Sequence, residues 1–348
     1  MNSEFFNAIA DIEKEKGIPQ TYMFEKIEQA LLAALRKDIP GAAELAHVDV
    51  DPTKKKIDMY ILKTVVEEVE DPDTLIILEA ARKKSKKVQV GDAFRVPVET
   101  KKFGRIAAQS SKQVIIQGIR EAERSMVYDE FTSKEHEVLS GIVHRIDPRT
   151  GAVSVRFSGS EYTEAMLAAT ECIPGEELTE GDHIKVYVVE VRKSTRGPQI
   201  LISRTHPGLI KRLFELEVPE IFDGIVEIKS ISREAGSRAK IAVMSNDPEV
   251  DPIGACVGPK GGRVSAVVDE LCGEKIDIAK FSEVPEEYVA SALAPAEVIS
   301  VTMLDEKSCR VIVPDSQLSL AIGKEGQNVR LAARLTGLKI DIKSDAMA

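Results

Sequence analysis

Apolar residues near the start of the chain recur at helical spacing. Phe5, Ile9 and Ile12 share one face, and Ile27, Leu31, Ala34 and Leu35 repeat the pattern after a break at 17–19. The rhythm then changes. Residues 48–50, 57–69 and 93–98 read as strands, and 109–131 returns to a helical period. Between the last two of these strands the chain carries a basic run at 82–87, RKKSKK, which reads as a loop.

From residue 134 a period of two dominates. Residues 138–146 predict a strand, Pro148 to Gly151 a turn, and 152–157 a second strand. In 181–193 the apolar positions are Ile184, Val186, Val188 and Val191, with a slip near Val189, and 198–205 closes the set. Short strands and Gly turns over 134–203 suit an OB-type barrel. Their phrasing resembles the RNA-binding barrel first described in the ribosomal S-one protein.

The rest of the chain is a repeat. GACVGPKGGRVSAVVDELCGEKIDI at 254–278 matches SLAIGKEGQNVRLAARLTGLKIDI at 319–342. Each copy has a small-residue helix, a G-x-x-G, an amphipathic helix and a Lys-Ile-Asp-Ile strand. Upstream of each lie a helix (209–217; 286–293) and two strands (224–232 and 240–244; 298–304 and 309–313). The order helix, strand, strand, helix, G-x-x-G, helix, strand is that of the prokaryotic-type KH fold. One G-x-x-G is weak evidence and is usually a tight turn between helices. Two in matching surroundings, 65 residues apart, are not.

Such a loop suits RNA for physical reasons. KH loops clamp the backbone of about four nucleotides. Glycines without Cβ atoms admit the sugar-phosphate chain closely, and the next helix turns its N–H groups and positive dipole end toward phosphate. The candidate RNA-binding residues are Gly258, Pro259, Lys260, Gly261 and Arg263 in the first copy. In the second they are Gly323, Lys324, Glu325, Gly326, Gln327 and Asn328. Pro259 lacks an N–H and Glu325 repels phosphate, so modest affinity per module is expected. Ile253, Val257, Leu318 and Ile322 either floor a groove for bases or belong to the core.

Composition narrows the classes. Of 348 residues, 43% are hydrophobic, 5% aromatic and none Trp, so the core must be mostly aliphatic. No apolar run approaches the ~20 residues of a membrane span, and the start lacks a signal-peptide block. A cytoplasmic protein without a membrane association is expected. The net charge of −10 divides into about −2 over 1–130, −3 over 131–202 and −5 over 203–348. Nucleic-acid binding must therefore rest on local sites. Cys172, Cys256, Cys272 and Cys309 form no C-x-x-C pair and read as reduced, buried thiols, with no metal or cofactor expected.

Three stretches then carry a family resemblance: 205–243, DPIGACVGPKGGR at 251–263 and AIGKEGQNVRLAARLTG at 321–337. They resemble the bacterial NusA transcription factors, strongly over 200–345, moderately over the barrel and more weakly before it. The resemblance implies a multidomain α+β chain. Residues 1–133 form an N-terminal α/β domain that binds RNA polymerase, 134–203 an OB-type S-one barrel, and 204–281 and 282–348 two tandem KH domains. It implies nascent single-stranded RNA, the polymerase core and other antitermination factors as partners of a monomer. It also implies roles in pausing, termination and antitermination. The basic run is then a solvated face or a contact to polymerase or RNA. Ala168 stands where the family often has Pro, and the barrel offers only Phe157, Tyr162 and Tyr187, with His144 and His183, for base stacking.

An enzyme is not expected. Gly323-Lys324 is followed by Glu325, not Ser or Thr, no G-x-G-x-x-G occurs, and His47, His136, His144, His183 and His206 are dispersed. Polynucleotide phosphorylase accessory regions pair one KH with one barrel, usually in the reverse order. A ribosome-assembly protein with a scaffolding KH fold is the third reading, separable by co-purification with polymerase or with ribosomes.

Overall fold

A computed structural model describes residues 3–85, 87–98, 100–157, 163–195 and 197–347, with side chains left out at 3–4, 100–112 and 347. Tyr162 of the barrel aromatics and Lys86 of the basic run lie outside the described residues. The chain forms two compact units, Met1–Val127 and Tyr128–Ala348.

In the first unit, α1 (Ser3–Lys16) and α2 (Gln20–Asp38) are separated by Gly17, whose φ of +67° closes α1. After a 3-10 turn come β1 (Ala46–Asp51), β2 (Lys56–Val66), β3 (Leu75–Ile77), α3 (Leu78–Lys84), β4 (Ala93–Pro97) and α4 (Thr100–Thr132). Strand β2 pairs antiparallel with β1 and β4 and parallel with β3. Phe6, Ile9, Met23, Phe24, Ile27, Leu31 and Leu35 meet Val48 and Ala122 in one core. Most of the helical apolar surface is thus spent inside the unit, and on α4 Ile116 and Met126 stay exposed. The basic run is a loop only in part. Arg82, Lys83 and Lys84 form the last turn of α3, where cations face the negative end of the helix.

The second unit opens with a barrel of β5 (Val138–Ile146), β6 (Val153–Phe157), β7 (Glu164–Leu167), β8 (His183–Arg192) and β9 (Gln199–Ser203), closed in the order β5-β6-β7-β9-β8. Closure leaves no free edge. The slip near Val189 is a register shift between Val188 and Glu190. Strand β7 escaped the sequence because its four residues are too few for a period. Ala168 follows it with φ −64°, an angle that proline also takes.

Two modules of the same topology follow. The first contains α5 (Pro207–Glu217), α6 (Pro219–Phe222), β10 (Val226–Glu234), β11 (Arg238–Ser245), α7 (Pro252–Val257), α8 (Gly262–Glu270) and β12 (Lys275–Lys280). The second contains α9 (Pro285–Ala292), β13 (Ser300–Asp305), β14 (Ser308–Val313), α10 (Leu318–Ile322), α11 (Gln327–Thr336) and β15 (Lys339–Ser344). In each sheet the middle strand pairs antiparallel with the first and parallel with the last.

Both seams of this unit are packed. At the first, Arg204 is 2% exposed and all five of its N–H groups are used. Nε and Nη2 hold Glu176 at 3.0 and 2.6 Å, Nη1 holds the Lys185 carbonyl and Glu270 Oε1, and Nη2 also holds the Glu270 carbonyl. Glu176 and Lys185 belong to the barrel and Glu270 to α8. At the second seam, Ala242 and Ala279 of the first module share a core with Tyr288, Val289 and Leu293 of the second. Phe281 stacks edge-on against Tyr288 at 5.0 Å. Val284, the residue just ahead of α9, is exposed. Among the thiols, Cys256 and Cys309 are buried as expected, and burial pushes the Cys256 thiol up to about 12. Cys272 is exposed instead, at a left-handed turn after α8 with φ +57°.

Removing one partner of a fully buried ion pair strands the other charge. Arg204→Met is expected to cost about 3 kcal/mol, read as a lower denaturation midpoint of the full chain, with the buried Glu176 left without its cation while Glu270 keeps Lys185.

Candidate nucleic-acid interface

The two G-x-x-G loops are conformational twins. Gly258 and Gly323 have φ/ψ of 70/177° and 77/171°. Lys260 and Glu325 follow at 54/24° and 54/27°, and Gly261 and Gly326 at 77/11° and 74/17°. The turn bonds correspond as well. Gly261 N–H donates to the Gly258 carbonyl and Gly326 N–H to the Gly323 carbonyl, both at 3.1 Å. Three of four residues per loop therefore have positive φ, where glycine is strain-free and a side chain costs about 1 kcal/mol or more. Pro259, Lys260, Lys324 and Glu325 are exposed. Beside them α8 and α11 begin, with first-turn N–H groups that lack intrahelical partners.

The residues after each loop do a different job. Arg263 Nη1 donates to the Ala255 carbonyl at 2.6 Å and to Glu220 at 2.8 Å. Asn328 is 3% exposed, and its Nδ2 donates to the Leu293 and Ala321 carbonyls at 3.0 and 3.1 Å. Gln327 Nε2 is shared between Glu234 and Ser237. These three candidate polar contacts are thus engaged within the protein. Arg263 and Asn328 occupy the same place in the two copies and press on the first loop glycine. A Cβ on Gly258 would lie 2.6 Å from Arg263 Cγ, and one on Gly323 only 2.7 Å from the Asn328 backbone N.

Of the candidate groove residues, Ile253, Val257 and Leu318 are partly buried and Ile322 is exposed on α10; Leu320, which the sequence did not single out, is exposed on the same helix. Phe157 and Tyr187, the barrel candidates for stacking among the described Phe and Tyr, are spent on packing. Phe157 is buried against Phe131, with ring centroids 5.1 Å apart, and Tyr187 is buried and stacked on His206 at 4.7 Å and 5°. His144 lies beside Arg156, 3.0 Å from its guanidinium. No group of three or more His, Cys, Asp or Glu among the described residues is arranged to hold a metal ion.

Three segments match known family models: residues 4–125 the NusA N-terminal domain, 204–281 the NusA-like first KH domain and 285–348 the NusA-like second KH domain. A protein of Halalkalibacterium halodurans named transcription termination/antitermination protein NusA is 52% identical over 349 residues, covering 100% of this chain and 90% of its own length. This chain belongs to the NusA family. The namesake in Bacillus subtilis is 50% identical across 100% of the chain and 92% of its own length, and that in Thermus thermophilus 43% across 98% and 89%. The twin loops lie one in each of the two segments that match NusA-like KH domains, a class of RNA-binding module.

The twin geometry separates two kinds of glycine. Gly337 has φ +72° with open space around a notional Cβ, whereas Gly323 has φ +77° and a backbone atom in the way. Gly337→Ala is expected to cost about 1 kcal/mol from its backbone alone. Gly323→Ala should cost roughly twice that or more, because the clash adds to the same backbone cost. Thermal unfolding of the two variants measures the difference.

Proposed function

We propose that this chain is an RNA-binding transcription elongation factor that docks on RNA polymerase, holds nascent single-stranded RNA and modulates pausing, termination and antitermination. The observation that carries the RNA half is the pair of superposable exposed loops in modules that share one core. The polymerase half rests on family membership, with residues 1–133 as the docking domain. The barrel is assigned to 134–203 and the KH domains to 204–281 and 282–348. In this reading Gly258, Pro259, Lys260 and Gly261, with Gly323, Lys324, Glu325 and Gly326, face the RNA backbone. Arg263, Gln327 and Asn328 brace the loops from behind. The barrel contributes position more than base stacking, since Phe157 and Tyr187 are buried. The protein works as a cytoplasmic monomer alongside other antitermination factors and catalyses no reaction of its own. Among the described residues no helix is long and apolar enough to cross a membrane.

Each loop carries one exposed lysine, Lys260 in the first and Lys324 in the second. Lys260→Asp or Lys324→Asp places a carboxylate where a phosphate must sit. Each is expected to lower RNA affinity about tenfold, ~1.4 kcal/mol, with an unchanged melting temperature, because both sites are exposed. A mobility-shift titration that finds affinity unchanged in both variants rules out the loops as the site.

Docking is tested separately. Met1–Val127 is a compact unit with its own core. As a fragment it is expected to retain core RNA polymerase in a pull-down, while residues 134–348 retain much less. Binding confined to the C-terminal fragment overturns that assignment.

A further inference from the structure

The second RNA loop is held in place from outside its own module. Glu234 ends β10, in the first KH module, yet its carboxylate faces α11 of the second. Oε1 accepts from Arg330 Nε at 2.7 Å, and Oε2 accepts from Arg330 Nη2 at 3.1 Å and Gln327 Nε2 at 3.0 Å. Arg334, one turn further along α11, stands 3.6 Å away. Arg330 passes the connection on, for its Nη1 donates at 3.1 Å to the carbonyl of Glu325, inside the loop. Gln327, the first residue after Gly326, is also tied at 2.8 Å to Ser237 at the start of the next strand region of the first module. Two points flanking the left-handed stretch Glu325–Gly326 are therefore anchored in the β10–β11 hairpin.

That hairpin is a firm support. Its neighbouring Arg233 is buried and bidentate to the fully buried Glu274, which also accepts from Gly236 N–H at 3.1 Å. On its other side Gly236 lies against the barrel, where a Cβ would be 2.7 Å from the Pro174 carbonyl. Glu234 is thus no wandering surface carboxylate, and Arg330 holds its carboxyl below the usual carboxylate range. Glu325 is a non-glycine residue at φ +54°, a conformation that its own preferences disfavour.

We propose that Glu234 is a positioning residue for the second RNA-binding loop, acting through Arg330 and Gln327 across the boundary between the two KH modules. This rests on the reading of Gly323–Gly326 as an RNA clamp. Glu234 itself touches no RNA. It keeps Arg330 on the Glu325 carbonyl, and so keeps the loop in the shape that its twin at Gly258–Gly261 shares.

The test uses the full chain and a single-stranded RNA of about twelve nucleotides, long enough for two four-nucleotide clamps. Glu234→Ala is expected to weaken binding about fivefold, ~1 kcal/mol, with little change in melting temperature. Arg330→Gln, which cuts the same chain one link later, should give the same loss and add nothing to Glu234→Ala. The deciding readout is the background. In a Lys324→Asp chain, where the second loop is already disabled, Glu234→Ala should have no further effect. In a Lys260→Asp chain its fivefold effect should persist in full. If Lys324→Asp alone leaves affinity unchanged, the clamp reading falls and this proposal with it. If Lys324→Asp weakens binding but Glu234→Ala does nothing, or acts equally in both backgrounds, only the positioning role falls. A gain in affinity on Glu234→Ala also overturns it, because the carboxylate would then be a competitor for phosphate at Arg330 and Arg334.

Discussion

A charge removed from water must find all its partners nearby, and in the second unit those partners are drawn from more than one module. Arg204 uses five N–H groups on acceptors from the barrel and from α8. Arg233, by contrast, is satisfied within its own module, by Glu274 and the His206 carbonyl at the start of α5. Lys240, buried enough that its ammonium is pushed down, reaches Asp277 in its own module and the Ala294 carbonyl in the next. Apolar packing tolerates small slides between modules, but a buried guanidinium with every donor satisfied does not. These pairs give the seams geometric specificity, and the loops inherit it.

With the modules so fixed, the repeat acquires meaning beyond its sequence. Two turns with the same three positive-φ positions stand on one scaffold, and each is braced by the residue five places after its first glycine. The bracing chemistry differs. Arg263 reaches outward to Glu220 in α6, while Asn328 is sunk into the core and holds two carbonyls. The first loop is a self-contained part of its module. The second is tied to the hairpin of its neighbour, so the modules are unequal in structure as well as in the charge of Lys260 against Glu325.

The barrel shows how burial reassigns residues that composition makes interesting. Phe157 and Tyr187 have the right chemistry for stacking bases, but the chain has few aromatics, and its seams use them. Tyr187 fills the space over Gly208, where a Cβ would come within 2.4 Å of the ring, and lies flat on His206. The apolar faces of α1, α2 and α4 are likewise consumed by one another and by β1, leaving Ile116 and Met126 outside.

Much of this was legible in the linear chain, for reasons that are local. Period-two alternation marked β5, β6, β8 and β9, and even the slip at Val189. Paired G-x-x-G motifs marked the loops, since only glycine takes those dihedral angles without strain. Helical spacing marked α1, α2 and the core of α11. Other features depend on distance in space. The short strand β7 exists because β6 and β9 pair with it, not because four residues prefer a strand. Gln327 and Asn328 look like ligand contacts in a sequence, yet their amide nitrogens donate to acceptors within the protein, because an amide bonds whatever acceptor the fold brings near. Glu234 gave no sign at all, as one acidic residue among fifty-seven Asp and Glu. Local backbone preference and periodicity are written along the chain. Which carboxylate meets which guanidinium, 96 residues apart in the case of Glu234 and Arg330, is decided only when the modules close on each other.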